Sequence, residues 1–261
     1  MKIVVCVKHV PDADSDRRIE DGRVVRGEDD VLNELDEYAL EAAVSLVEDY
    51  EGEVIALTMG PEDSEDALKR ALQMGADRAI LVTDESLGGA DALGTASILA
   101  SVVEQLATEE PVDIVFTGMA SLDGMTSMVA PAMAARLGWP YLDLAHSIKV
   151  DEGMPPVVTI KRRADGSEDI LRASAPVVVS VTDQVNEPRY PSFKDLRAAR
   201  SKPLEEWELN EEHFPAVVGT DLTSIELVEA DRKERAPGVI ITDDGEGGKK
   251  LAEFLRERVQ R

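Results

Sequence analysis

Short runs of β-branched residues alternate with longer amphipathic runs over the first half of the chain. The run "KIVVCVKHV" has the composition of a buried strand, and "NELDEYALEAAVSLVEDY" carries apolar residues at the spacing of a helix. The same pair of patterns recurs until the helical run "TSMVAPAMAARLG". This βαβ alternation predicts a doubly wound, mainly parallel sheet with helices on both faces, a Rossmann-like α/β fold whose ligands bind at the carboxyl edge of the strands.

The pattern changes after Pro140. Three strand-like runs joined by tight turns follow, and the second of them contains a hairpin turn at residues 164–167. From Asn186 the periodicity weakens and proline and charge are enriched, which is typical of a segment that forms no core of its own. We therefore predict a nucleotide-binding domain over residues 1–185 and an extended C-terminal arm over 186–261 that ends in a helix.

The charge balance excludes some classes of partner. The chain has 53 acidic and 28 basic residues, a formal net charge of −25. Such a field repels nucleic acid and anionic membranes, so we expect neither nucleic-acid binding nor direct membrane insertion. The same composition favours a halophilic protein, because surface carboxylates keep a protein hydrated at high salt. The alternative is an ordinary acidic protein.

The cysteine count, the histidine spacing and the lengths of the apolar runs exclude further kinds of site and segment. Cys6 is the single cysteine, so the chain can form no internal disulfide, and its three histidines lack metal-ligand spacing. No apolar run approaches the length of a membrane span or a signal peptide. The sequence therefore predicts a cytoplasmic protein without a metal site, and no pattern indicates a catalytic residue.

A cluster of small and hydroxyl residues precedes the last helical run of the first domain, in "GMASLDGMTSMVAPAMAARLGWP" (residues 118–140). If Asp123 or Thr126 begins that helix, unpaired backbone N–H groups and the Thr126 and Ser127 hydroxyls could hold a phosphate. Gly124 would admit the ligand close to the backbone. The alternative is a plain loop with a capped helix. Asn33 stands at the start of the first helical run, and it is expected to cap that helix.

Several stretches in combination resemble the β subunit of electron transfer flavoproteins over nearly the whole chain. The most specific combination is "ALQMGADRAILV" with "LGWP" and "NEPRY". The other matching stretches are "VKHVPD", "LNELDEYALEAA", "TMGPEDSEDALKR" and "GMASLDGMTSMVAPAMAAR".

The resemblance implies a heterodimer with an electron transfer flavoprotein α subunit. That subunit would hold most of the electron-carrying FAD, and this chain would hold a second nucleotide, either AMP or, as in electron-bifurcating members, FAD. It places the cofactor-binding residues at Cys6, Asn33, Glu34, Leu35, Asp36, Met59, Gly118, Ser121, Asp123, Gly124, Met125, Thr126, Ser127, Met128 and Val129.

The choice between FAD and AMP stays open in the sequence. Asp123, Gly124 and Thr126 are similar to the loop of the bifurcating members. The bifurcating members have Gln, Asp, Gln and Gly at four positions where this chain has other residues, and we still expect FAD slightly more than AMP. The four positions are Ala120, Met125, Met128 and Ala130.

The resemblance also implies a docking loop after "NEPRY", with Phe193 and Leu196 as the apolar residues that bind a partner. The expected partners are flavin dehydrogenases such as acyl-CoA dehydrogenases, with a membrane quinone reductase as electron acceptor. The chain would then be an electron carrier and not an enzyme. Two alternatives remain: a stand-alone adenine-nucleotide sensor or hydrolase-like α/β protein, and a structural β subunit that has lost its nucleotide.

Overall fold

The computed structural model divides into two compact units, residues 1–227 and 228–261, which are described separately. Helix α6 (Gly247–Val259) belongs to the second unit, and every other element below belongs to the first. The structure describes residues 1–15, 18–20, 22–27, 29–151, 153–209, 214, 238 and 240–259.

The helices and strands of the first unit follow the predicted alternation. The helices are α1 (Glu34–Tyr50), α2 (Glu65–Met74), α3 (Ala92–Glu109), α4 (Val129–Leu137) and α5 (Phe193–Ala199). The strands are β1 (Lys2–Cys6), β2 (His9–Pro11), β3 (Ile19–Glu20), β4 (Arg23–Val24), β5 (Asp30–Leu32), β6 (Glu53–Met59), β7 (Arg78–Val82), β8 (Ile114–Gly118), β9 (Tyr141–Ala145), β10 (Ser147–Asp151), β11 (Val157–Ala164), β12 (Ser167–Ser174), β13 (Val177–Val181) and β14 (Leu204–Trp207).

A parallel sheet forms the centre of the fold. Within the described residues it has seven strands, in the order β14-β7-β6-β1-β8-β13-β9. β1, β8 and β13 are buried along their whole length, which explains their nearly continuous apolar sequences. The doubly wound α/β fold is confirmed.

The sheet separates two apolar cores. Ile3 and Val5 of β1 contact one core, while Val4 and Cys6 contact the other, because successive side chains of a strand point to opposite faces. Helices α1 and α2 cover the first face, and α3 and α4 cover the second. Representative fully buried residues of these helices are Leu40, Leu68, Ile98 and Met133.

The order of the strands creates a switch point between β1 and β8. From β1 the chain runs outward through β6 and β7, and it then returns to β8 on the other side of β1. The loops that leave these two neighbouring strands therefore diverge. Ligands of open α/β sheets bind in the crevice at such a point, outside the carboxyl ends of the strands.

The region after Pro140 adds an antiparallel sheet of β10, β11 and β12. The predicted hairpin turn is present: Ala164 pairs with Ser167, and Asp165 and Gly166 between them both have positive φ. Two central residues with positive φ are the signature of a tight hairpin turn.

The predicted C-terminal arm contains a strand of the central sheet, because β14 pairs with β7. Trp207, the last residue of this strand, packs edge-on against the ring of the buried Phe214. Much of the predicted arm, including residues 215–237, lies outside the described residues. The domain boundary after residue 185 stays a prediction.

Gly118, the last residue of β8, lies against the start of α1. A Cβ atom at this position would lie 2.5 Å from Asp36 Oδ1 and 2.6 Å from the Leu35 carbonyl oxygen. No side chain fits there, so glycine is needed for α1 to approach the end of the strand.

We expect Gly118→Ala to lower the free energy of unfolding by about 1–3 kcal/mol, because α1 must move away from β8. Gly124→Ala is the matched control: its Cβ would lie 3.4 Å from Ser121 Oγ, an ordinary contact. Urea unfolding of both variants checks this, and equal effects would contradict the close approach.

Candidate functional site

Asp36 joins the two strands of the switch point. Its side chain is buried at the start of α1, where Oδ2 accepts a hydrogen bond from the backbone N–H of Lys8 at 2.9 Å and Oδ1 accepts one from Gly118 at 3.2 Å. Burial raises the pKa of this carboxyl to about 7, and the hydrogen bonds to it oppose the rise. The residues that follow β1 and the end of β8 are thereby held to one helix.

Asn33, three positions before Asp36, holds the loop that follows β8. Its fully buried side chain donates from Nδ2 to the Ala120 carbonyl at 3.0 Å and accepts at Oδ1 from the Leu122 N–H at 3.0 Å. Asn33 occupies the predicted N-cap position of α1, but its side chain makes no capping hydrogen bond, so that part of the prediction is wrong. The amide bonds a neighbouring loop instead, which satisfies two buried backbone groups of that loop.

Asp123 binds two cations at the far end of the same loop. Its carboxylate accepts hydrogen bonds from Lys8 Nζ, 2.9 Å from each oxygen, and from Arg26 Nη2. Only 4% of the Asp123 side chain is exposed. Burial alone would raise the pKa of this carboxyl, but Lys8 and Arg26 outweigh it and hold the pKa well below its usual range. Arg26 also donates to the His9 carbonyl at 2.8 Å, which ties the loop to the residues after β1.

The segment Gly124–Met128 is exposed and has an irregular backbone. Met125 and Ser127 both have φ near +50°, a conformation that non-glycine residues rarely adopt and that is concentrated at ligand sites. The Met125 N–H donates to the Ser121 carbonyl at 2.8 Å, which closes a turn.

Helix α4 begins at Val129, later than either predicted start. The positive φ values of Met125 and Ser127 are incompatible with a helix, so neither Asp123 nor Thr126 can begin it. Among the described residues, the backbone N–H groups of 126–130 have no hydrogen-bond acceptor. These groups and the positive end of the helix dipole are suited to an anion.

The structure brings together the core of the predicted site. Asn33 makes hydrogen bonds to Ala120 and Leu122 of the loop, Asp36 accepts one from Gly118, and Leu35 lies against Gly118. Ser121 and Asp123 lie in that loop, and the predicted residues at 124–129 continue it as far as the start of α4.

The other predicted residues lie at the margin of this group. Glu34 is exposed as the first residue of α1, and Met59 is half-buried at the end of β6. Cys6 ends β1 but points into the core, with Sγ 3.9 Å from Met133 Sδ. Burial, with a smaller effect of the Asp36 charge, raises the pKa of the Cys6 thiol to about 12. Phe193 is exposed and Leu196 is half-buried on α5.

Sequence reasoning missed Lys8 and Arg26. Lys8 stands in the stretch "VKHVPD", directly after β1, where a cation could have been expected to reach the switch point. Arg26 is eighteen positions further on, in a polar stretch without periodicity. Nothing in the sequence alone indicates that it returns to Asp123.

The described part of the chain holds no group of three or more His, Cys, Asp or Glu side chains placed to bind a metal ion. None of its helices combines the length and the apolar character needed to cross a bilayer.

The ion pairs of Asp123 predict a pH dependence of stability. Its pKa is depressed in the folded state, so the charged group stabilises the fold above the ordinary aspartate pKa of about 4, and this contribution is lost as the pH falls below it. We expect the stability difference between the wild type and Asp123→Asn to stay constant above about pH 5 and to shrink as the pH falls from about 5 to about 2.

Urea unfolding at several pH values checks this expectation. The control is Asp49→Asn, on an exposed position of α1, which should follow the wild type throughout. A difference between wild type and Asp123→Asn that stays constant over the range would mean that the cations do not stabilise the charged form.

Comparison with known proteins identifies the family. Residues 21–212 match the model of the electron transfer flavoprotein domain. The chain is 35% identical to the electron transfer flavoprotein subunit beta of Mycobacterium leprae and 34% identical to that of Mycobacterium tuberculosis, in each case over 97% of both chains. It is also 38% identical to the protein FixA of Azorhizobium caulinodans, over 77% of this chain and 73% of that one. The chain therefore belongs to the electron transfer flavoprotein family and is similar over almost its full length to the β subunits of that family.

Proposed function

We propose that this chain is the β subunit of an electron transfer flavoprotein, paired with an α subunit in a heterodimer. The complex would carry electrons from flavin dehydrogenases, such as acyl-CoA dehydrogenases, toward a membrane quinone reductase. Family membership and the similarity to β subunits over 97% of the chain support this proposal. The chain would act as an electron carrier and not as an enzyme.

The second part of the proposal is a nucleotide, FAD or AMP, at the carboxyl edge of the sheet. The free N–H groups at 126–130, in front of α4, carry this part of the proposal. A phosphate would accept hydrogen bonds from these groups and from the hydroxyls of Thr126 and Ser127.

The local charge fits a phosphate. Lys8 and Arg26 contribute two positive charges and Asp123 one negative charge, which leaves one net positive charge beside the loop of a chain whose net charge is −25. About two fifths of the Lys8 side chain is exposed, so its ammonium group can turn toward an anion without leaving Asp123. Asp123 would hold both cations in place.

Flavin supplies one- and two-electron transfer when it is bound, and the chemistry belongs to that group. The residues of this chain would bind and orient the nucleotide. Asn33, Leu35 and Asp36 at the start of α1 would contact its adenosine part, and Gly118 keeps that helix close to the sheet. No proton transfer by a side chain is required of this subunit.

The exposed methionines argue against a β subunit that has lost its nucleotide. In such a protein Met125 and Met128 would fill the site. Instead they are 59% and 48% exposed, on a backbone that holds them out of the core. The match to the electron transfer flavoprotein domain continues beyond residue 185 to residue 212, through the segment that carries Phe193. This match disfavours the stand-alone sensor. FAD remains slightly favoured over AMP, and electron bifurcation would require FAD here.

Phe193 and Leu196 would bind the partner dehydrogenase. Phe193 is 93% exposed although it is a large aromatic residue, and aromatic residues are enriched at the centre of protein interfaces.

Lys8→Met tests the nucleotide site. We expect binding of AMP or FAD to the purified heterodimer to weaken about tenfold, because one charge-assisted contact to the phosphate is removed. Lys69→Met on α2 is the control with the same change of charge, and Thr126→Val removes a hydroxyl without changing shape. Calorimetric titration gives the dissociation constants; an unchanged value in both Lys8→Met and Thr126→Val would refute the phosphate site.

We also propose that the protein is cytoplasmic and adapted to high salt, on the strength of its net charge of −25. Repulsion among the carboxylates is screened by salt, so the midpoint of urea unfolding should rise between about 0.1 M and 3 M KCl. A midpoint that is independent of salt would count against this adaptation.

A further inference from the structure

Two aromatic side chains of the segment 189–199 are almost fully exposed. Tyr190 is 89% exposed and Phe193 is 93% exposed, while Pro191 between them is buried. Rings of this size are normally buried in part, and these two stand three positions apart in the chain. Several contacts hold the backbone that carries them.

Arg189 fixes the start of this segment to α1. Its Nε and Nη2 bind the two carboxylate oxygens of Glu41 at 2.7 and 2.9 Å, and its Nη1 and Nη2 bind those of Glu48 at 2.6 and 2.9 Å. The backbone N–H of Arg189 also donates to Glu41 at 3.0 Å. One guanidinium thus makes two bidentate pairs, an arrangement that a lysine cannot reproduce.

Charge and burial strengthen the ion pairs of Arg189 with Glu41 and Glu48, which together we call the clamp. Only a tenth of the Glu41 side chain is exposed, and it also accepts a hydrogen bond from Ser45 at 2.8 Å. Burial alone would raise the pKa of Glu41, but the bonds from Arg189 and Ser45 lower it below its usual range. The same guanidinium lowers the pKa of the more exposed Glu48. Both carboxylates are therefore charged when they bind Arg189.

Three further contacts hold the chain on both sides of the clamp. Asn186 Nδ2 donates to the Tyr38 carbonyl of α1 at 2.9 Å, and the Arg70 guanidinium lies 5.4 Å from the centre of the Tyr190 ring. Ser192 and Asp195 form a capping box at the start of α5. The two rings are exposed, yet the backbone that carries them has little freedom.

We propose that Arg189 is a positioning residue for docking, which holds Tyr190 and Phe193 as a pre-formed anchor for the electron-donating dehydrogenase. The inference rests on the proposed function and extends it to Arg189 and Tyr190. A partner that binds a pre-ordered anchor avoids the entropic cost of ordering it, so loss of the clamp weakens docking without touching the anchor itself.

The alternative is a purely structural role, in which Arg189 only neutralises the buried Glu41. Three variants of the heterodimer with its α subunit separate the two: Arg189→Lys, Phe193→Ala and the double variant. Arg136→Lys is the control, because Arg136 also pairs with a glutamate, Glu104, at 3.5 Å on the other face of the sheet. An acyl-CoA dehydrogenase with its acyl-CoA substrate serves as the electron donor.

We expect Arg189→Lys to raise the KM for the heterodimer about fivefold and to change kcat less than about twofold. The double variant should raise the KM by less than the product of the two single effects, because Arg189 acts through the anchor to which Phe193 belongs. Amide hydrogen exchange of residues 190–196 in the heterodimer should become about tenfold faster in Arg189→Lys and stay unchanged in Arg136→Lys.

An unchanged KM with a lowered unfolding midpoint, or KM effects that multiply in the double variant, would overturn the inference in favour of the structural role. Unchanged hydrogen exchange would overturn it as well, whatever the donor. A wild-type heterodimer that takes no electrons from the dehydrogenase would instead refute the proposed partner, and hydrogen exchange would still decide whether Arg189 orders the anchor.

Discussion

The attachment of α1 to the ends of β1 and β8 is the interaction on which the site depends. Two buried polar side chains, Asn33 and Asp36, make four hydrogen bonds to backbone groups of Lys8, Gly118, Ala120 and Leu122. Buried polar groups are costly unless they are fully paired, so this cluster tolerates only one arrangement of the strand ends. The glycine at 118 is the steric condition for that arrangement, since any side chain there would meet α1.

Helix α1 connects this attachment with both sites that we propose for the chain. The start of α1 holds the loop that leads to the free N–H groups before α4, where we propose a nucleotide phosphate. The middle of α1 carries Glu41 and Glu48, which bind Arg189 below the exposed aromatic rings. The proposed cofactor site and the proposed docking segment would therefore share α1 as their support. In an electron carrier this arrangement would keep the docked partner at a fixed position relative to this subunit.

The sequence predicted the fold well because strong local signals agree with it. Buried strands such as β1 and β8 are nearly continuous apolar runs, and the helices show clear periodicity. The strand β14 escaped prediction because "LEEW" is short and charged, and its place in the sheet comes from pairing with β7 and from the packing of Trp207 on Phe214. Tertiary contacts, and not local sequence, determine that this segment is a strand.

The sequence proposed a candidate site but not the contacts that join its parts. The loop 118–129 was selected from its glycines, its hydroxyls and its position after a strand, and the start of α1 from the resemblance to the family. The role of Asn33 was mistaken, because capping is the local expectation and its actual partners, Ala120 and Leu122, lie far along the chain. Arg26 and Lys8 were missed for the same reason: their bond to Asp123 exists only in the folded chain.

The most direct test of the central claim is the nucleotide content of the heterodimer. The chain would be co-expressed with its α subunit, purified in high salt and denatured, and the FAD and AMP released per heterodimer would be counted. The account predicts two nucleotides: two FAD for a carrier of the bifurcating type, or one FAD with one AMP for a simple carrier. A single FAD with no second nucleotide would contradict the phosphate site proposed between Lys8 and α4.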